Sequence, residues 1–292
     1  MKPKLTFIHA LSPLHAGTGQ GVDVIDLPIA REKATNIPYL PGSSVKGTLR
    51  DLFNDEKAVQ TEIFGPEKIE GGSGKAGAIQ FADQTLLFLP VRSLAGTFAY
   101  VTSPYVLKRF LRDVTNAEIV FPNLVAGNLA NEGDSNPCLI ATDSVLKLNN
   151  FVCLEDLDLT PENDRTVADG WANELKNKIF DESWQDEFAA RLCIVSDNIF
   201  SFLLQTATQI TARNVLNEDK SSENLWYEES LPTESILYGI VLSFPNPSTK
   251  LNDDEIFWHM STKLDKTLQF GGNATIGRGL CNVKLFPKEA SE

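Results

Sequence analysis

The order of the predicted strands and helices constrains the fold of this chain more than any other feature. Alternating apolar residues predict a strand over 4–11, and helical spacing after Pro41-Gly42-Ser43-Ser44, with serine as the N-cap, predicts the first helix. Near the other end, the patterns predict a strand over 235–244, a helix over 253–268 and a strand over 280–286. This order predicts an α+β fold with a ferredoxin-like (RRM-like) βαββαβ core, in which the first and last strands lie side by side.

The middle of the chain predicts large insertions into this core. β-type residues over 76–89 predict a strand or hairpin, and Ser103-Pro104 opens a predicted helix that ends near Leu111. Residues 184–206 have the apolar spacing of one long helix, and 209–229 predict a hairpin.

Length and composition fit one elaborated domain. The chain has 292 residues, of which 42% are hydrophobic and 22% charged, as in an ordinary globular core. We expect a single domain over 1–292, with a core over approximately 1–112 and 207–288 and a more variable insertion over approximately 113–206. No stretch approaches the roughly 20 apolar residues that span a bilayer. The four cysteines are widely spaced without a CxxC pair, which indicates free thiols and a cytoplasmic location.

Charge is unevenly distributed along the chain. The formal net charge of −13 argues against a generic nucleic-acid binder. Residues 1–50 nevertheless carry six basic and three acidic side chains, and residues 258–288 carry five basic and one acidic. If the fold joins these two basic ends, an acidic protein can still have a basic groove.

The segment LHAGTGQG, residues 14–21, is the first candidate binding loop. Gly17, Gly19 and Gly21 let the backbone approach a ligand closely. A complete GxGxxG pattern leading into a helix is lacking, so a dinucleotide site is not indicated.

Cations accompany the two other candidate segments. PGSSVKG places Lys46 and Arg50 on one face near a helix N-terminus, where orphan N–H groups favour a phosphate. In GGNATIGRG, the glycines around Arg278 let backbone amides face an anion beside a bidentate guanidinium; these are Gly271, Gly272, Gly277 and Gly279. The alternatives are a solvated surface pair and a tight connection between a helix and a strand.

Taken together, these segments resemble the RAMP superfamily (repeat-associated mysterious proteins) of CRISPR effectors. Within it, the chain is most similar to the backbone subunits of the type III-B, or Cmr, complex. The resemblance rests on LHAGTGQG, IDLPIAREKATNIPYLPGSSVKGTLRD, AGAIQFADQTLLFLPVRSLAGTFAYVTSP, LWYEESLPTESILY and LQFGGNATIGRG. These segments cover nearly the whole chain except roughly 113–205.

The resemblance implies a fold, an assembly and an activity. The fold is an RRM-like RAMP core with a protruding β thumb. Several copies stack head to tail along the guide crRNA, with other Cmr subunits, and cut the paired target RNA at regular intervals. An aspartate of the N-terminal loop carries cleavage in the family, and it matches Asp26 in Ile25-Asp26-Leu27-Pro28, with Asp23 as the neighbouring control.

A single carboxylate is chemically sufficient for this role. RNA supplies its own nucleophile, the 2′-OH, and a carboxylate can orient it, deprotonate it, or hold a divalent cation at the phosphate. The sequence shows no dedicated metal cage, so the resemblance implies Asp26 with a hydrated Mg²⁺. Without the resemblance, a loop-stabilising cap is the favoured interpretation of Asp26.

Two weaker catalytic candidates accompany Asp26. His15 can act as a general acid or base beside the same loop, although a lone His at a glycine turn is more often a structural hydrogen-bonding residue. Glu228, in WYEES, is the second, with a solvated strand edge as the alternative.

Three other functions remain open from the sequence. A non-catalytic RNA-binding scaffold of the same complex would not need Asp26 for chemistry. A guide-processing endonuclease of the same superfamily would depend on His15, and the segments around PGSS and LFLPVRS argue against it. A small-molecule α/β enzyme lacks both a P-loop motif and a dinucleotide fingerprint.

Overall fold

The computed structural model describes residues 1–17, 19, 25–67, 76–129, 136–244 and 249–287. The predicted features at Gly21 and Asp23 lie outside these residues. The strands are β1 (Lys2–Ala10), β2 (Tyr39–Leu40), β3 (Ile79–Phe81), β4 (Gln84–Arg92), β5 (Phe98–Thr102), β6 (Pro137–Ile140), β7 (Lys147–Leu148), β8 (Phe151–Leu154), β9 (Leu157–Pro161), β10 (Leu192–Val195), β11 (Gln209–Leu216), β12 (Ser222–Ser230), β13 (Ile236–Ser243), β14 (Leu268–Gln269) and β15 (Leu280–Phe286). The α-helices are α1 (Gly42–Asp51), α2 (Lys57–Phe64), α3 (Pro104–Asn116), α4 (Thr166–Ile179), α5 (Glu182–Arg191), α6 (Asp197–Thr206) and α7 (Asp253–Lys263).

The predicted ferredoxin-like core is confirmed. Its four strands lie in the order β15-β1-β13-β4 and every neighbouring pair is antiparallel. Along the chain, α1 lies between β1 and β4, and α7 lies between β13 and β15. Together with the strand order, this is the arrangement of a βαββαβ unit. The first and last strands pair directly, from Leu5 opposite Phe286 to Ala10 opposite Cys281.

Strands between residues 98 and 195 extend the same sheet. Beyond β4 the order continues β5-β10-β6-β9-β8-β7, with parallel pairs at β5/β10 and β6/β9. β11 and β12 form a separate two-stranded hairpin, as the sequence predicted for 209–229. Most of this β11–β12 hairpin is exposed to solvent, which fits the thumb that the resemblance implies.

The prediction of one helix over 184–206 is wrong. The structure has α5, then β10, then α6, and all four residues of β10 are buried between β5 and β6. Four consecutive apolar residues suit a fully buried strand as well as a helix face, so periodicity could not separate the two. Ser196 then caps α6 by accepting a hydrogen bond from Ile199 N at 3.4 Å.

The serines of PGSS are not the N-cap of α1. Pro41 occupies that position, and Gly42 N donates to Asp83 Oδ1 at 2.8 Å. A Cβ on Gly42 would lie 2.4 Å from Phe81 O, so the glycine allows the helix start to touch the end of β3. The cap is therefore supplied by a residue from elsewhere in the chain, which local sequence rules cannot foresee.

Helices cover both faces of the core sheet. On one face, Phe7 stacks on Phe110 of α3 with ring centroids 6.2 Å apart, and His9 packs against Phe180, just after α4, at 4.9 Å. On the other face, the Lys4 ammonium lies 5.1 Å from the ring of Phe257 in α7. The described part of the chain contains no helix long and apolar enough to cross a membrane.

Candidate functional site

Three segments meet at the base of the β11–β12 hairpin. Residues 13–17 approach the glycine-rich connection 271–279, hereafter the glycine turn, through Gly272 N donating to His15 O at 3.1 Å and Gly279 N donating to Pro13 O at 2.9 Å. Leu14 also forms a bridge to Leu231, just beyond β12. The two glycine-bearing segments that the sequence singled out therefore lie together.

Asp26 stands at the edge of this junction. Its Oδ2 accepts a hydrogen bond from Tyr227 N at 2.7 Å. Leu27 N donates to Tyr227 O at 3.1 Å and Glu229 N donates to Leu27 O at 3.0 Å, so residues 26–27 run alongside β12. Asp26 is exposed, and within the described part of the chain its Oδ1 accepts no hydrogen bond. One carboxylate oxygen bonds to β12 and the other has no partner among the described residues.

His15 lies inside the junction. Its Nδ1 is 2.6 Å from Glu229 O, and because a carbonyl oxygen only accepts, Nδ1 must carry a proton. In the neutral ring Nε2 is then the accepting nitrogen. A Cβ on Gly17 would lie 2.5 Å from this Nε2, so the ring edge requires glycine at that position. The bond through Nδ1 agrees with the interpretation of His15 as a structural hydrogen-bonding residue. An acid–base role through Nε2 stays a prediction.

Glu228 links the hairpin to the glycine turn through hydrogen bonds. It is 5% exposed, and therefore the alternative of a solvated strand edge is wrong. Trp226 Nε1 donates to Oε1 at 2.9 Å and Asn273 Nδ2 donates to Oε2 at 3.0 Å. With both oxygens engaged, the geometry favours a role in positioning over direct proton transfer.

Backbone conformation in the glycine turn explains its composition. Gly271 has φ +73°, and a Cβ there would lie 2.2 Å from His15 O. Gly279 has φ +72°, and a Cβ there would lie 1.9 Å from Phe270 O. Asn273 adopts φ 64°, which Asn tolerates better than most residues. The turn is thus shaped for close contact with the loop that carries His15.

The remaining predicted glycines have fewer constraints. Gly277 has φ +77° and Gly19 has φ +99°, and a Cβ on either would meet nothing within 4 Å. Gly272 lies against His15 Cδ2, 3.4 Å from where its Cβ would stand. Among the described residues, Gly19 and Gly277 border open space, whereas the N–H groups of Gly272, Gly277 and Gly279 already donate to carbonyl oxygens of the chain. The RNA-binding role of these glycines stays a prediction.

Helix α1 lies beside the glycine turn. Thr48 Oγ1 donates to Gln269 O at 3.4 Å, just before the turn begins. Arg50 donates one N–H to Gly65 O at 2.7 Å and so connects α1 to the end of α2.

Within the described residues, Lys46 and Arg278 have no acidic partner. Partial burial, and then the charge of Arg50, lower the pKa of Lys46, and a bound phosphate would oppose both effects.

Several cations of the two basic ends are neutralised within the chain. Lys2 pairs with Asp254, Arg31 with Glu229, Lys263 with Glu56 and Lys284 with Asp181. The count of basic residues in the sequence therefore overstates the charge available to a ligand. Lys46 and Arg278 are outside these pairs, and Gln269 links their two segments, since its carbonyl accepts from Thr48 of α1 and its side chain donates to Arg278 O.

A divalent ion has limited protein ligands at this site. The described residues contain no group of three or more His, Cys, Asp or Glu side chains arranged to hold a metal. Asp26 can contribute its open Oδ1. Such an ion would need its other ligands from water and from RNA phosphate, which is common for Mg²⁺.

Sequence reasoning missed the residues that hold the site together. Asn273 had one available signal, since Asn within a glycine-rich turn favours the left-handed conformation. Glu229 and Arg31 had none, because 198 positions separate them along the chain. Trp226 lies two positions before Glu228 in β12, and its indole N–H donates to the Glu228 carboxylate.

Comparisons with known proteins match both the sequence and the fold. The RAMP superfamily model matches residues 7–282. The curated relative "CRISPR system Cmr endoribonuclease Cmr4" of Pyrococcus furiosus is 34% identical, covering 98% of this chain and 96% of the relative. The crystal structure of oligomeric Cmr4 from Pyrococcus furiosus has a TM-score of 0.74 at 28% identity, covering 98% of each chain. A chain of the type III-B Cmr-beta complex bound to cognate target RNA has a TM-score of 0.72 at 20% identity, covering 98% of this chain and 97% of that one, and shares the fold.

Proposed function

The chain belongs to the RAMP superfamily, and we propose that it is the RNA-cleaving backbone subunit of a type III-B CRISPR effector complex. In this proposal several copies stack head to tail along a guide crRNA beside other subunits of the complex. The complementary target RNA is cut at regular intervals, one cut for each copy. The name of the 34% identical relative, an endoribonuclease, supports the activity.

One observation carries the assignment of the cutting site to this chain. Asp26 has one oxygen bonded to the backbone of β12 and one open oxygen, at the junction of the hairpin base, the His15 loop and the glycine turn. A carboxylate held by its other oxygen is already oriented before the substrate arrives. Orientation of this kind accounts for a large part of the acceleration in reactions between two positioned groups.

The chemistry follows from the groups present. Asp26 Oδ1 accepts the hydrogen bond of the 2′-OH next to the scissile phosphate and takes its proton as the 2′ oxygen bonds to phosphorus. The bond from phosphorus to the 5′ oxygen breaks, and that oxygen receives a proton from water or from Nε2 of His15 in its protonated, imidazolium form. The products are a 2′,3′-cyclic phosphate and a 5′-hydroxyl.

Cations bind and orient the RNA in this scheme. Lys46 and Arg278 would contact phosphates beside the glycine turn as charged side chains. In the alternative role, Asp26 Oδ1 would hold a hydrated Mg²⁺ in place of taking the proton, and the ion would neutralise charge at the scissile phosphate. Its requirement is part of the proposal, and omission of divalent ions from the assay tests it.

The test is an Asp26→Asn substitution in complex reconstituted with guide RNA. Asn keeps an oxygen for the Tyr227 N–H and removes the negative charge. We expect cleavage of paired target to fall by about 10²-fold or more, the usual contribution of a positioned acid or base, with guide and target binding retained. Asp23→Asn is the control for an acidic neighbour in the same loop and should cut normally. Normal cutting by Asp26→Asn would instead support a non-catalytic scaffold.

A further inference from the structure

An ion pair between partly buried Arg31 and buried Glu229 joins the loop that carries Asp26 to the base of the β11–β12 hairpin. Glu229 follows Glu228 in β12, so the two side chains leave the strand on opposite faces. Glu228 contacts the glycine turn, whereas Glu229 points toward the N-terminal loop. Glu229 is 4% exposed, and its Oε1 lies 2.5 Å from a terminal nitrogen of Arg31.

The pair connects four segments of the chain. Glu229 Oε2 accepts from Ile29 N at 3.1 Å, and Oε1 also accepts from Thr208 Oγ1, next to β11, at 2.9 Å. Arg31 donates to Leu204 O near the end of α6 at 2.9 Å and to Asn36 O at 3.0 Å. The loop, the start of the hairpin, the end of α6 and β12 are thereby fixed to one another.

Two apolar side chains could fill the same space, but they would not fix the relative orientation of the four segments. Burying two charges costs desolvation energy, which close pairing and additional hydrogen bonds must offset. Arg31 and Glu229 make five hydrogen bonds, one to each other and four to neighbouring segments. Each hydrogen bond restricts the direction in which its two groups can approach each other. The arrangement therefore suits a site whose geometry matters.

We propose that Arg31 and Glu229 are positioning residues that set the location of Asp26 relative to the hairpin. This inference rests on the proposed RNA-cleaving function. Asp26 has one side-chain bond of its own, to Tyr227 N. Its placement consequently depends on residues 27–29, which Glu229 holds through its own N–H and through the Ile29 N–H. A displacement of about 1 Å at such a group can reduce a rate about 10²-fold.

The experiment compares variants in the reconstituted complex with guide RNA. Glu229→Gln keeps the size and an accepting oxygen but removes the charge opposite Arg31. We expect the single-turnover cleavage rate at saturating target to fall about 10²-fold, while the Kd for target stays within about twofold. Glu32→Gln is the matched control, because Glu32 lies on the same loop and pairs with Arg109 at 2.6 and 2.7 Å without contacting β12. It should cut at the wild-type rate.

A double variant separates positioning from simple stability. Arg31→Gln together with Glu229→Gln removes the unpaired buried cation and should recover most of the Tm lost in Glu229→Gln. The cleavage rate should stay low, because the directional contacts are still missing. Recovery of the rate together with Tm, or equal rate losses in Glu229→Gln and Glu32→Gln, would overturn the proposal. If Asp26→Asn also cuts normally, the proposed function itself has failed; if Asp26→Asn is inactive while Glu229→Gln cuts normally, only the positioning role has failed.

Discussion

Alanine substitutions at Gly271 and Gly277 test whether the glycine turn is packed against the His15 loop. Both glycines have similar positive φ angles, +73° and +77°. An L side chain in that conformation costs roughly 1–2 kcal/mol at either position. The two differ in surroundings, since the Cβ at 271 would lie 2.2 Å from His15 O and the Cβ at 277 would meet nothing within 4 Å.

The extra cost at Gly271 can be worked from the contacts that must separate. The methyl group would force His15 O away and break its 3.1 Å hydrogen bond with Gly272 N. A bond of this kind contributes about 0.5–1.5 kcal/mol. We therefore expect Gly271→Ala to be less stable than Gly277→Ala by about 1 kcal/mol or more, which is about 2–4 °C in Tm for a chain of this size.

Urea and thermal unfolding of the full-length variants measure this difference directly. A shared strain from positive φ cancels in the comparison, so the remaining difference reports the close approach of the turn to His15. Equal stabilities of the two variants would refute the packing of the glycine turn on the His15 loop, and with it the junction described here.

Two further predictions concern the RNA. Lys46→Ala and Arg278→Ala should each weaken RNA binding by the complex and reduce the slope of log binding constant against log salt concentration by about 0.7–0.9. The control Lys147→Ala, in the edge strand β7, should leave this slope unchanged. Wild-type slopes for both test variants would place those side chains away from the RNA. A target with a single 2′-deoxy nucleotide at one cut position should bind normally and resist cleavage there alone, since the nucleophile is absent; cutting at that position would contradict attack by the 2′-OH.

Local patterns in the sequence predicted the elements that depend on local chemistry. The β11–β12 hairpin, β15 and the start of α7 follow from alternation, turn residues and helical spacing. The pairing of β1 with β15 followed from element order through the preferred topology. These features need little information about distant parts of the chain.

Features that depend on tertiary contacts escaped prediction for physical reasons. β10 is a strand because β5 and β6 lie on either side of it, and its four apolar residues do not reveal those neighbours. Asp83 caps α1 from another segment, and Glu229 bonds to Arg31 from the far end of the chain. Asp26 was identified through the resemblance, because a loop aspartate before Leu27-Pro28 has no catalytic pattern of its own.

The covered sheet explains why the candidate site lies at the end of the core. Single-stranded RNA binds the open sheet face in many RRM domains through exposed aromatic residues. Here α3 and the end of α4 cover that face, where Phe110 and Phe180 pack on Phe7 and His9 of β1. The fold therefore leaves the loops at the strand ends, including the glycine turn and the Asp26 segment, as the surface where we propose that RNA binds.

A structure of the assembled complex with guide RNA and an uncleavable 2′-deoxy or 2′-methoxy target gives the most direct test. The decisive quantity is the distance from Asp26 Oδ1 to the 2′ position of the nucleotide beside the hairpin. The proposed chemistry predicts hydrogen-bonding reach, about 2.6–3.2 Å or one bridging water, with that 2′ position in line with the phosphorus. A target strand that passes Asp26 beyond the reach of one water, with another carboxylate or His at the scissile phosphate, would contradict it.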